Sequence, residues 1–368
     1  MIDLEGKLLN KEIEIKITAI RNLYKSFGKT SILIEKQYNL SWLFKWKTHV
    51  NFASINGFVD VIVTEDGLYL IANNVEAPRI IQEERFVDIT LCEYFWYEPE
   101  MRNQLINEIT GGNHLVDGNV ENEIRAIRST LTNSEIADFS KLCMDSGLIM
   151  QETCMKLKQG SSEFVAASMI AQKCLEREIE PVILLVAADE RIQKFRHPLP
   201  TSNPINDYVM LVMGVRREGQ YSCLTRFVAF SEPSDEIKKR RDAVLRLTGM
   251  LLSDTRPGVD TAQLFRALVK GYENEGFPNE WKLHHQGGLG GYNSREYKAS
   301  PTVSIPVKAG QIYVWNPSIT GYKAEDTMVV TEKENKILTV TPELPTVDID
   351  CYGKIVRQAD IIVRKKIH

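Results

Sequence analysis

The sequence predicts a mixed α+β protein in two domains, and three observations carry that expectation. At 368 residues the chain is longer than one ordinary domain, so two domains, the second the larger, is the expected division. Long amphipathic helical segments alternate with short β-rich runs along most of its length. Among them stands a polar stretch at 281–296, WKLHHQGGLGGYNSRE, answered later by WNPSITGYKAEDT at 315–327. The first stretch is too polar for a core strand and too rich in glycine for a helix, so it reads as a site loop. Its glycines let backbone approach a ligand, while His284, His285 and Gln286 offer donors, acceptors and a proton carrier.

Composition removes several classes. A formal net charge of -4, with both signs interspersed, gives no electrostatic footprint for nucleic acid, and the basic tail at 364–366 is too short to supply one. The six cysteines at 92, 143, 154, 174, 223 and 351 form no CxxC pair, which suits reduced thiols and a cytoplasmic location. The first residues are acidic and amphipathic, unlike a signal peptide, and the longest apolar run, 182–188, is far short of a membrane span.

Taken in order, residues 11–27 keep one face apolar and stop at Gly28, as a helix does, and SILIEK after them reads as a strand. Runs 58–64 and 68–72 flank Glu65-Asp66-Gly67, a hairpin signal. Asn74 is a candidate cap for a helix running to about Arg85, with Pro78 in its first turn. Turn-formers then accumulate, and a linker is expected near 111–125, dividing the chain into domains 1–120 and 121–368. Helices follow at 134–158, begun by Thr132-Asn133-Ser134, and at 161–177, capped by Ser161 or Ser162. Strands at 181–187, 208–215 and 221–229 precede helices at 234–252 and 260–274. The junctions at 159–163 and 256–260 share one layout about a hundred residues apart, which suggests an internal duplication.

From here the order of motifs resembles the creatinase, aminopeptidase P and prolidase family, whose fold is called pita-bread. The segments that carry the resemblance are LKQGSSEFVAASMIA, RHPLPT at 196–201, EGQYSCLTRFVAF at 218–230, TRPGVD, HHQGGLGG and WNPSITGYKAEDTMVVTE. They cover nearly the whole chain to about residue 335, and the first third is similar to the creatinase-type N-terminal domain. The resemblance implies a pita-bread C-terminal domain behind a smaller α/β domain. It also implies a homodimer, for which Trp42, Phe44 and Trp46 with Phe95, Trp96 and Tyr97 form an expected partner-facing surface.

The departures from the family pattern are chemical. The family's two metal ions are held by two aspartates, a histidine and two glutamates, and the corresponding positions here are Val212, Cys223, Leu289 or Gly287, Asn316 and Glu325. One carboxylate cannot hold two divalent ions, so neither metal nor cofactor is expected. Adjacent His284 and His285 are expected to point opposite ways, as neighbours on an extended chain do. Creatinase is the family precedent for metal-free hydrolysis with a histidine moving protons. By that resemblance His197, His285 and Glu325 are the candidate catalytic residues. His284, Gln286, Tyr292, Arg295, Glu296, Asn316 and Lys323 are candidates for holding a small-molecule or short-peptide substrate. Three functions compete at this point: a metal-independent hydrolase of a small C–N compound, a non-catalytic relative that binds a peptide or protein, and a metal-dependent Xaa-Pro peptidase.

Overall fold

The computed structural model describes residues 4–84 and 87–364. Arg85, the expected end of the third helix, and Lys365 and Lys366 of the basic tail lie outside the described residues. The chain divides into two compact units, 1–128 and 129–368.

In the first unit, helix α1 (Leu4–Ser26) starts earlier than the periodicity predicts and buries Ile13, Ile17, Ile20 and Tyr24 along one stripe. Gly28, at φ 67°, supplies the left-handed backbone that ends it. Strand β1 (Ser31–Lys36) buries Ile32, Leu33 and Ile34 in a row, as expected for a strand covered on both faces. The hairpin forms as β2 (Asn56–Thr64) and β3 (Leu68–Asn73), and β1 is an interior strand: the order is β4-β3-β2-β1-β5, with β4 at Thr90–Tyr94 and β5 at His114–Val116. Short α2 (Gln37–Phe44), α3 (Ala77–Glu83), α4 (Glu100–Thr110) and α5 (Glu121–Arg128) complete the unit.

Three expectations need correction here. Asn74 does not cap α3: the Asn73 side chain accepts from the Val75 and Glu76 amides, while Asn74 accepts from Trp96 N–H. The stretch 111–125 is structured, because β5 pairs in parallel with β1 and α5 follows at once; Arg128 is buried against Glu121 and Asn39. Trp42, Phe44 and Trp46 are core residues, whereas Phe95, Trp96 and Tyr97 are exposed.

The second unit is two helix-backed sheets. Helix α6 (Asn133–Lys156) begins with a reciprocal cap, Thr132 accepting from the Glu135 amide and Glu135 from the Thr132 amide. Helix α7 (Glu163–Leu175) is capped by Ser162. Strand β6 (Glu180–Ala188), short α8 (Arg191–Lys194), β7 (Tyr208–Arg217) and β8 (Gln220–Ala229) follow, the strands antiparallel. Along β7 the side chains alternate between two cores. Val209, Leu211, Met213 and Val215 meet α6 and α7, while Met210 and Val212 face the other way.

Helices α9 (Asp235–Asp254) and α10 (Thr261–Asn274) cover the second sheet. Its strands are β9 (Gly287–Gly290), β10 (Tyr297–Lys298), β11 (Ile312–Trp315), β14 (Asp326–Val329) and β15 (Lys336–Ile337), in the order β10-β9-β11-β14-β15. Between them lies the β12 (Ser318–Ile319) and β13 (Tyr322–Lys323) hairpin. A β16 (Thr346–Asp350) and β17 (Ile355–Ala359) hairpin follows, and β18 (Ile362–Val363) joins β8 in parallel. The two helix junctions share one geometry. Gly160 and Gly258 have φ of 84° and 86°, and their amides bond Ile205 O and Val307 O. The caps two residues on, Ser162 and Asp260, bridge Pro204 and Pro306.

Candidate functional site

The glycine-rich stretch is a strand in its middle, against the sequence expectation of a loop. Gly287 and Gly288 lie between β10 and β11, where strands approach so closely that a Cβ would sit 2.1 Å from Val314 O and 2.3 Å from Tyr297 O. Their φ values, 101° and 152°, also suit glycine alone. The glycines therefore serve strand packing, and they fix where His284 and His285 stand just before the strand.

His197 is held from both sides. Arg196 pairs with Glu280 and donates to Thr320 Oγ1, and Pro198 O accepts from Val186 N–H at 3.1 Å. His284 and His285 leave a short 3-10 turn at Glu280–Leu283 and precede β9. His284 has extended backbone, φ -158° and ψ 149°, yet the alternation expected for neighbours is not observed. Their rings stack with centroids 4.3 Å apart, and both meet His197, at 4.9 Å and 5.9 Å. His197 Nε2 and His284 Nε2 are 2.9 Å apart. Burial, then nearby Lys323, lowers the His197 pKa. Burial together with Lys323 takes His284 down to about 2. For His285, burial with Arg295, Lys298 and Lys323 takes it to about 3. All three imidazoles are therefore neutral at pH 7.

Facing them is Glu325, buried in the strap between β13 and β14. One carboxylate oxygen accepts from Arg295 at 2.9 Å and Asn316 at 3.2 Å; the other accepts from Lys323 and Thr225, each at 2.9 Å. Burial alone would raise this carboxyl, but Lys323 and Arg295 outweigh it and hold Glu325 well below the usual carboxylate range. Arg295 thus pairs with Glu325 and not with its neighbour Glu296. Burial pushes the Cys223 thiol up despite the Arg295 guanidinium 3.6 Å from its sulfur, so it remains a thiol.

These groups line one cavity of about 390 Å³, a size that suits a small ligand. His197, His285, Arg295, Asn316, Lys323 and Glu325 form its polar side, and Ile183, Leu185, Leu199 and Val212 its apolar wall. Asn316 Oδ1 and Arg295 Nε are buried there without a hydrogen-bond partner. Gln286, Tyr292 and Glu296 do not line it. Gln286 braces the turn, accepting from Tyr272 OH and donating to the Trp281 and His284 carbonyls. Tyr292 donates to Glu135, and Glu296 accepts from the Tyr292 and Asn293 amides. Sequence reasoning missed Lys298, Thr225 and, apart from Val212, the apolar wall. Thr225 was visible as the residue before Arg226 in SCLTRF, but nothing local announced that it meets Glu325 a hundred residues on.

The fold and this cleft between two helix-backed sheets define the pita-bread class. The chain belongs to metallopeptidase family M24, whose profile matches residues 140–332, more than half of it. An uncharacterized peptidase of Staphylococcus aureus is 26% identical over 244 residues, 63% of this chain and 68% of its own. The prolidase of Pyrococcus horikoshii superposes with a TM-score of 0.75 at 17% identity, covering 89% of this chain and 99% of its own. The dipeptidase PepE of Mycobacterium ulcerans does so with a TM-score of 0.75 at 15% identity, covering 97% and 99%. Membership of this family supports a hydrolase with a small peptide-like substrate, and the structural likeness shows the fold. Among the described residues no helix is long and apolar enough to cross a membrane.

The family implies a two-metal centre, and the residues present here do not fit one. At the positions that the resemblance assigns to the family's ligands, Val212 offers no donor atom, Cys223 is a buried thiol, Leu289 packs in the core, its alternative Gly287 has no side chain, and Asn316 is neutral. Both oxygens of the remaining carboxylate, Glu325, already bind protein cations. Arg295 and Lys323 supply built-in positive charge beside Glu325, and two further dications would add charge to a pocket with no carboxylate left to receive it.

Proposed function

We propose that this chain is a divergent M24 hydrolase that cleaves a C–N bond in a small amide, guanidino compound or dipeptide without the two-metal centre, using His197 as general acid and base. The observation that carries this reading is the clamping of Glu325 by Arg295 and Lys323 in the same cavity as neutral His197 and His285. Neutral His197 has a lone pair with which to take a proton from water as its oxygen attacks the carbon, and it then returns that proton to the leaving nitrogen. Its hydrogen bond with His284 orients the ring and offers a relay. Arg295, Lys298 and Lys323 outnumber the single carboxylate, so the cavity favours a substrate with an anionic group, and Asn316 Oδ1 is free to accept from a substrate N–H.

Purified protein treated with a chelator is expected to retain turnover in a screen of small amides, guanidines and dipeptides, and His197→Ala to remove it while leaving the fold intact. Xaa-Pro cleavage that a chelator abolishes and Mn²⁺ or Co²⁺ restores would overturn the metal-free mechanism. Ligand binding without turnover of any substrate would make the pocket a binding site in a non-catalytic relative.

A further inference from the structure

The three histidines form a group that the proposed hydrolysis uses only in part. One ring nitrogen of each of His197, His284 and His285 lies within 4.8 Å of the other two. His284 Nδ1 and His285 Nδ1 are buried without a hydrogen-bond partner. His197 Nε2 and His284 Nε2 face each other at 2.9 Å, where one neutral ring donates its N–H to the lone pair of the other; with that proton moved to Nδ1, both Nε2 lone pairs converge on one point and present themselves to a metal ion. A tetrahedral zinc needs its nitrogen ligands roughly 3.3 Å apart, so a small outward shift of the two rings would accommodate one.

We propose that His197, His284 and His285 constitute a mononuclear site for a transition-metal ion, Zn²⁺ foremost, separate from the positions where the family holds its metal pair. Three neutral nitrogen donors with no carboxylate among them select Zn²⁺, Co²⁺, Ni²⁺ or Cu²⁺ over Mg²⁺, Ca²⁺ or Mn²⁺. The donors are pre-positioned. Gln286 ties down the His284 carbonyl at 2.5 Å and the Trp281 carbonyl at 3.1 Å. Arg196, the neighbour of His197, is locked to Glu280 at the start of the turn that delivers His284. Because His197 and His285 line the cavity, the remaining coordination position opens into it. Lys323 and Lys298 there make an anion, whether chloride, hydroxide or a ligand carboxylate, the natural fourth partner. If His197 is the base proposed above, an ion on its lone pair blocks proton transfer, so Zn²⁺ acts as an inhibitor; that consequence rests on the proposed function, whereas the binding site does not.

Full-length protein stripped with chelator and then titrated with ZnCl₂ in a calorimeter is expected to bind one equivalent, and CoCl₂ to give the intense visible bands of a tetrahedral ion. Losing a hydrogen bond to a metal ligand already costs about 10–100-fold in affinity, so His197→Gln, His284→Asn and His285→Gln should each weaken binding by more than about 100-fold. Circular dichroism of each metal-free variant checks that it has folded, and Cys223→Ser should bind as the parent does. Absence of binding, or binding that survives all three histidine substitutions, overturns the site. Zinc binding at the triad with turnover undiminished supports the site and refutes His197 as the base. Turnover by a protein that does not bind zinc refutes the site alone.

Discussion

Glu325 shows how a single side chain can be kept ionised in a place where burial opposes its charge. Four donors converge on it, two of them cationic and themselves almost fully buried. Breaking a buried pair by removing one partner typically costs about 3–5 kcal/mol, because the remaining charge is left uncompensated. Lys323→Met is therefore expected to lower the unfolding free energy by about that amount in urea denaturation. Lys323→Met combined with Glu325→Gln should recover part of the loss, since no unpaired charge then remains. Cys223→Ser, at a protonated thiol beside the same cluster, should change turnover little. His197, His285, Arg295, Asn316, Lys323 and Glu325 could be picked out by residue type and motif order. Their partners could not, because the choice of Glu325 over the adjacent Glu296 for Arg295 depends on β8 meeting the β13–β14 strap. The stacking of His284 and His285 escaped the sequence because alternation along an extended chain predicts the opposite, and His284 is extended.

At the scale of elements, glycine has two different roles in this chain, and substitution separates them. Gly258 turns the chain into α10 at φ 86°, with nothing within 4 Å of an added Cβ. Gly258→Ala should cost only the left-handed backbone strain, about 1–2 kcal/mol. Gly288 sits where a Cβ would lie 2.3 Å from Tyr297 O and 2.8 Å from Ala299 N, both backbone atoms that cannot swing aside. Gly288→Ala should therefore prevent β9 from pairing with β10 and yield little folded protein, a contrast readable by thermal melts of the two variants side by side. The same positions mark what the sequence conveyed about the elements. The long helices were legible because a cap, an apolar stripe and a stop coincide at each, as with Thr132 and Gly160 around α6. β9 was not, since a strand made of Gly-Gly-Leu-Gly has almost no apolar alternation to read. The stretch after Gly111 also misled, because β5 takes its partner from β1, more than eighty residues away.

For the whole molecule, the buried neutral histidines should make stability depend on pH in a window where few other groups titrate. In the unfolded chain His284 and His285 have pKa values near 6.5, whereas the folded environment takes them to about 2 and about 3. Burial is the first cause of each shift, and Lys323 and Arg295 add to it. A group whose folded pKa is depressed binds protons in the unfolded chain first, so the stability it contributes is present above pH 6.5 and is lost as the pH falls towards the folded value. Carboxylates titrate mostly below about pH 5, which leaves the interval from pH 6.5 to about 5 to the histidines. Unfolding followed by tryptophan fluorescence in urea, with chelator present to keep metal off the triad, should give a midpoint that falls steadily across that interval. Replacing His284 and His285 together by Asn should remove up to two protons of that dependence and flatten the curve. An equally steep fall in the double variant would place the responsible protons elsewhere and show that these two rings are protonated as readily in the folded protein as in water.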